Sequence, residues 1–167
     1  MLLKIIGDFE RISDHSVNIL ESAEELRAKN ISFTDSAKEE MNTLKAAVSE
    51  ILDKAIIAFE DNDTDAISSI EPLEQVIDGL KERMRTNHIL RLQQGGCTID
   101  AGFIWSDLIT NFERTSDHCS NIAGCLIDFR HNDMNIHENI RAIKNEDSLY
   151  GQKYKEYSSK YTLSSRK

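Results

Sequence analysis

Proline is almost missing from this chain. One Pro and seven Gly in 167 residues leave few places where a helix must stop. A surplus of basic residues is missing too: 20 Lys and Arg stand against 29 Asp and Glu, a net charge of −9. That balance argues against a nucleic-acid partner, since neutralising phosphates takes clustered Lys and Arg. No stretch reaches the roughly 18 consecutive apolar residues of a membrane-crossing helix. Met1-Leu2-Leu3-Lys4-Ile5-Ile6 runs straight into charged residues rather than a small-residue cleavage site, so no signal peptide is read there. The three cysteines, Cys97, Cys119 and Cys125, lack the close paired spacing of a zinc site and are odd in number for disulfides. Reduced thiols and a cytoplasmic setting are expected. What remains is 29 % charged residues and 40 % apolar ones, the composition of surface helices around a core. The length suits one domain or two small ones, and the predicted class is all-α.

One phrase occurs twice. Phe9-Glu10-Arg11-Ile12-Ser13-Asp14-His15-Ser16-Val17-Asn18-Ile19 returns as Phe112-Glu113-Arg114-Thr115-Ser116-Asp117-His118-Cys119-Ser120-Asn121-Ile122, with eight of eleven positions identical at an offset of 103. On a helix, the Glu, the Asp and the Asn of each copy fall in one column, about 6 Å apart per step.

Apolar spacing predicts four long helices. The first runs from the start to about Lys29 with Ile5, Phe9, Ile12, Ser16, Ile19, Ala23 and Leu26 as its stripe. It begins without an N-cap, which predicts a chain lacking upstream structure. The second starts at Ser36-Ala37-Lys38-Glu39, which has capping-box spacing, and carries Ala37, Met41, Leu44, Val48, Ile51, Ala55 and Ala58. Glu60-Asp61-Asn62-Asp63-Thr64-Asp65 resembles a calcium loop but lacks the Gly and distal Glu of one, so ordinary N-capping is expected there. The third helix, with Ile67, Ile70, Leu73, Ile77, Leu80 and Met84, restarts or kinks at Pro72 and ends at Gly95-Gly96. The fourth, from about Thr98 to Arg130, has Ile104, Leu108, Phe112, Thr115, Cys119, Ile122, Leu126 and Phe129 inward. Its stripe is that of the first helix shifted by 103. From Arg141 onward seven Lys and Arg meet three acids, and all four Tyr (150, 154, 157 and 161) lie on one helical face. A final amphipathic helix docked on the bundle is expected, with contact of residues 141–167 with an anionic membrane surface as the alternative.

Like charges at i and i+4 destabilise a helix by about 0.2–0.5 kcal/mol. A pair repeated in context, beside the column Glu71, Glu74, Asp78 and Glu82 on the third helix, asks for a cation. In an antiparallel hairpin of the third and fourth helices, Glu74, Asp78, Glu113 and Asp117 come to matching heights and are predicted to surround metal. All-oxygen donors select hard cations such as ferric iron, manganese, magnesium or calcium. Asn121 and Asn18 are expected as outer members, with Glu71 above. The competing reading is a solvated acidic face partly compensated by Arg11 and Arg114.

These residues carry a resemblance. The two copies of the repeated phrase resemble the metal-binding motif of PhoU-like phosphate-uptake regulators. Glu71-Pro72-Leu73-Glu74-Gln75-Val76-Ile77-Asp78, Cys97-Thr98-Ile99-Asp100-Ala101-Gly102-Phe103 and Asn111 to Ala123 are similar to the PhoU-like cytoplasmic domain at the C-terminus of bacterial sodium/phosphate cotransporters. The resemblance spans about residues 1–130. It implies three-helix bundles, each holding a polynuclear metal cluster, usually iron, through two such motifs on adjacent helices. It assigns metal to Glu74, Asp78, Glu113 and Asp117, and to Glu10 and Asp14 if a partner supplies the other half.

The expected organisation is residues 1–30 as the last helix of an incomplete bundle, 31–131 as a complete antiparallel three-helix bundle, and 132–167 as a basic, Tyr-rich segment. The implied function is a cytoplasmic metal-binding regulatory domain, possible also at the inner face of the membrane, that works by docking on a phosphate transporter or its membrane domain. Iron is the expected metal, with manganese or magnesium as alternatives, and a homodimer is expected from the unpaired stripe of the first helix. A carboxylate-bridged di-metal enzyme is the second reading, weakened because no Glu-x-x-His pair is present. A metal-free dimerisation module is the third. His15 and His118 are expected as surface hydrogen-bonding residues, Cys119 and Cys125 as core.

Overall fold

The computed structural model describes residues 1–131 and 149–163. All regular structure among them is helical: α1 Leu2–Ala28, α2 Asp35–Asp61, α3 Thr64–Gln93, α4 Ile99–His131 and α5 Leu149–Lys160. Part of the predicted Tyr-rich segment, residues 132–148 and 164–167, lies outside the described residues.

Helices α2, α3 and α4 pack on one another pairwise, α1 lies chiefly on α4, and α5 lies on α3. At 1.5 Å per residue α2 to α4 are about 40–50 Å long. The core is built from Leu44, Ile51, Ile70, Leu73, Ile77, Leu80, Met84 and Trp105, all essentially inaccessible to water. The stripe predicted for α2 is buried at every position except the half-buried Met41.

Helix ends follow from local chemistry. Thr34, extended at ψ 157°, accepts from the Ala37 amide at 3.3 Å and caps α2, so the cap lies two residues before the predicted Ser36 box. A hydroxyl facing the free amides of the first turn is what a cap requires, and Thr34 reaches them. Asp63 caps α3 through the Ala66 amide at 2.7 Å, as expected of the acidic loop. Helix α3 runs unbroken through Pro72, which is buried in it. It ends where Gly95, at φ +69°, donates to Leu92 and Gly96 to Arg91; a left-handed φ favours glycine at that position.

Two predicted stripes need correction. In α1 the buried residues are Ile5, Asp8, Ile12 and Ser22, while Ser16 and Ala23 are exposed. The buried face is rotated because α1 packs mainly on one helix, so it buries a seam rather than a bundle interior. Phe129, predicted inward, is exposed.

The expected tail helix docks on the bundle. Tyr150, Tyr157 and Tyr161 are buried, and Lys153 and Lys160 pair with Asp65 and Glu50 at 2.6 and 2.8 Å. Three of the four Tyr predicted to share a face are therefore applied to protein, while Tyr154 is exposed. No helix among the described residues is long and apolar enough to cross a membrane.

Candidate metal centre

The antiparallel run of α3 and α4 brings together three carboxylates. One oxygen from each of Glu74, Asp78 and Asp117 lies within 4.8 Å of the others. Asp78 is exposed, and Glu74 and Asp117 are half-buried, so the set opens to solvent at one side. Glu113 lies one turn before Asp117 and is buried. Lys81 Nζ stands 2.8 Å from Glu113 Oε2, and Arg114 reaches Asp117 at 3.6 Å and Glu113 at 4.0 Å.

The crowding has an electrostatic signature. Partial desolvation by its neighbours, then the charge of Glu113, raises the Asp78 carboxyl above its usual value, against the opposing charge of Lys81. Burial, then Glu113 and Asp78, raises Asp117 likewise, against Arg114 and Lys81. Like charges crowded at Asp78, Glu113 and Asp117 are a setting in which a bound cation stabilises a site. The donors are all carboxylate oxygens, a set that fits hard cations.

The first copy of the phrase sits differently. Glu10 and Asp14 are exposed on α1, with Arg11 3.9 Å from Asp14, and no third acidic ligand joins them among the described residues. Glu71 accepts from Ser120 at 2.8 Å, one turn above Glu74. Asn18 and Asn121 turn away from the acidic columns. They enter the α1–α4 seam, where Asn18 donates to Asn111 at 3.1 Å and Asn121 to Asp8 at 3.4 Å.

That seam corrects the surface reading of the histidines. His15 Nδ1 meets Asn111 Oδ1 and His118 Nδ1 meets Asp8 Oδ1, each at 2.9 Å. The two rings stack with centroids 5.6 Å apart. At the offset of 103, Asp8 corresponds to Asn111, His15 to His118 and Asn18 to Asn121. Every contact is therefore repeated by its equivalent, and a local two-fold axis passes between the stacked rings. The repeated phrase extends one residue further back than identity reveals, since Asp8 and Asn111 are similar in shape but not identical. Cys119 lies in this core; burial, then the charge of Asp8, pushes its thiol up to about 12.

Two other polar groups escaped the sequence reading. Glu40 of α2, on a helix that looked like plain scaffold, is buried against Arg91 at 2.9 Å and Asn87 at 2.8 Å. Arg91 lies over the Trp105 ring at 5.1 Å. Lys81 was legible in principle, three residues after Asp78 on the same face of α3.

The PhoU domain family matches residues 41–126, just over half of the chain and most of the span of α2 to α4. The phosphate-specific transport system accessory protein PhoU homolog 1 of Thermotoga maritima is 25 % identical over 122 residues, which cover 73 % of this chain and 52 % of that protein. The chain thus spans about half the length of the curated relative it matches. No solved structure matches significantly. With the all-α bundle and the family match in agreement, the chain belongs to the PhoU domain family.

Proposed function

We propose that this chain is a metal-binding regulatory domain of phosphate transport that acts by docking on a transporter rather than by turnover. The observation that carries the reading is the convergence of Glu74, Asp78 and Asp117 oxygens within 4.8 Å, with buried Glu113 as the fourth acid. A hard cation, iron first and manganese or magnesium next, would be held there and would supply positive charge fixing α3 to α4. The Thermotoga relative is an accessory protein of a phosphate transport system, which supports a transporter partner. The resemblance of its motifs to those of sodium/phosphate cotransporter C-terminal domains makes the membrane domain of such a carrier the partner to test, with this chain on the cytoplasmic side.

The second half of the proposal concerns residues 1–30. On α1, Leu2, Ile6 and Leu20 are 57 %, 53 % and 59 % exposed; their equivalents at the offset of 103, Trp105, Ile109 and Ala123, are 1 %, 2 % and 4 % exposed beneath α2 and α3. This difference supports residues 1–30 as the last helix of a second bundle unit and 31–131 as a complete one. Glu10 and Asp14, equivalents of Glu113 and Asp117, are then half of a second metal site, completed by a helical hairpin like α2–α3.

Elemental analysis of the purified protein tests the first site. Iron or manganese is expected in the wild type, with loss on Asp78→Ala combined with Asp117→Ala. Unchanged metal content in that variant would show that the site lies elsewhere.

A further inference from the structure

The turn that joins α3 to α4 holds a nucleophile beside a base. Cys97 follows Gly95-Gly96, just before α4 begins, and is half-buried. Its Sγ lies 4.0 Å from Nδ1 of His88 on α3. The other two thiols are buried, and burial with the charge of Asp8 pushes that of Cys119 up to about 12. Cys97 is the accessible one of the three, and it meets an imidazole.

That imidazole is wedged in place. His88 is 9 % exposed, and its Nε2 meets no hydrogen-bond partner among the described residues. A Cβ at Gly102 of α4 would stand 2.8 Å from this nitrogen, so the close approach needs glycine. The ring stacks on Trp105 with centroids 6.0 Å apart. The charged groups around it are Arg91 of α3 and Glu40 of α2, which pair with each other at 2.9 Å. Burial, then the charge of Arg91, lowers His88 below its usual value. The ring is therefore neutral at pH 7, the state in which a ring nitrogen can accept a proton.

A free thiol is only a few per cent thiolate at neutral pH, and the thiolate is the nucleophile. A neutral imidazole within reach lifts that restriction by taking the proton as the sulfur attacks. Beside Arg91 the imidazolium is disfavoured, so the proton moves on to the leaving group.

We propose that Cys97 is a modifiable thiol activated by His88, and that its substrate is a low-molecular-weight disulfide. The Cys97 sulfur attacks one sulfur of that disulfide. The S–H bond of Cys97 and the S–S bond of the substrate break, and a new S–S bond forms. Cys97 is oxidised, the other half of the substrate is reduced, and it leaves as a thiol with the proton carried through His88 Nδ1. The product is a mixed disulfide at the end of the α3–α4 hairpin, reversible by excess thiol. The carboxylate site plays no part in it.

Exchange of the full chain with dithiodipyridine, an aromatic disulfide, tests the proposal, with the modified residue mapped by mass spectrometry. One thiol should react rapidly at neutral pH and map to Cys97, and Cys97→Ser should abolish that phase. His88→Gln should slow it by about threefold to tenfold. Altered packing alone would change the rate but not its pH dependence. Between about pH 6.5 and 7.5 the wild-type rate should rise by less than about threefold, whereas that of His88→Gln should rise about tenfold with its thiolate. Should His88→Gln fail to fold, Gly102→Ala, whose Cβ displaces the ring, carries the same comparison. A wild-type rate that climbs about tenfold over that range, a folded variant with wild-type rate and slope, or first reaction at Cys119 or Cys125 would overturn the proposal.

Discussion

Asp78 and Asp117 are held in surroundings that oppose their charge. Because folding raises both pKa values above the usual 3.8, their contribution to stability is present below the unfolded value and is lost as pH rises through the folded one. At neutral pH the ionised set works against the fold. In chelator, Asp117→Asn is expected to raise the melting midpoint by about 1–3 °C, read by calorimetry. It should also erase the rise that Mn²⁺ gives the wild type, about 5–10 °C at a hundredfold excess over Kd. A variant with a lower midpoint in chelator and an intact Mn²⁺ response would contradict both. Glu40 has the opposite logic, since its partners among the described residues are Arg91 and Asn87. Glu40→Ala strands a buried guanidinium and should cost about 3–5 kcal/mol in urea unfolding. A loss below about 1 kcal/mol would mean that water reaches Arg91. The acid–Asp spacing of the site residues was legible because helical periodicity relates residues four apart. Glu40 was not, because nothing local distinguishes a buried Glu from the exposed Glu39 beside it.

At the scale of elements, α5 shows how ion pairs decide a docking geometry that amphipathicity only permits. Burial would push the Glu50 carboxyl up, but hydrogen bonds from Lys160 and Tyr161 and the charges of Lys160 and Lys54 outweigh it and hold the group below 4.5. A hydrogen bond from Lys153, then its charge, lowers Asp65 below 3.8. Lowered values mean that the stabilisation is fully present above the unfolded pKa and fades as pH falls through the folded one. Limited proteolysis should therefore cut near α5 faster below about pH 4 than at pH 7, before the α2–α4 core opens. Equal rates at both pH values would show that apolar packing of Tyr150, Tyr157 and Tyr161 alone holds the helix. The Tyr spacing was enough to predict an amphipathic face. Its place on the bundle needed Asp65 and Glu50, 88 and 110 residues away from their lysines.

For the whole molecule, the governing feature is the two-fold between copies of one phrase. Helices α1 and α4 meet through equivalent residues, yet only α4 has α2 and α3 on its other side. The opposite face of α1 keeps Leu2, Ile6, Val17 and Leu20 in water, a stripe that favours association. Taken alone, two chains are expected to pair these stripes into a dimer at micromolar concentration, visible by light scattering. Val17→Lys with Leu20→Lys should yield a monomer whose unfolding free energy changes by no more than about 1 kcal/mol, since both positions are exposed. A wild-type monomer would remove the dimer and leave the hairpin-covered second unit as the occupant.

The sequence by itself determined that this protein is helical, where most helices begin and end, and that two segments are equivalent. Those properties rest on short-range physics: scarce Pro and Gly, periodic apolar residues, capping side chains and an offset of 103. Only the tertiary structure decided what each copy faces. Glu113 and Asp117 acquired Glu74 and Asp78 because α3 returns antiparallel to α4 at matching height. Asp8, His15, Asn18 and their equivalents became a seam because α1 approaches α4 from the side opposite that bundle. Glu10 and Asp14 share the spacing of Glu113 and Asp117 but not their surroundings, where carboxylates from two elements converge on one point.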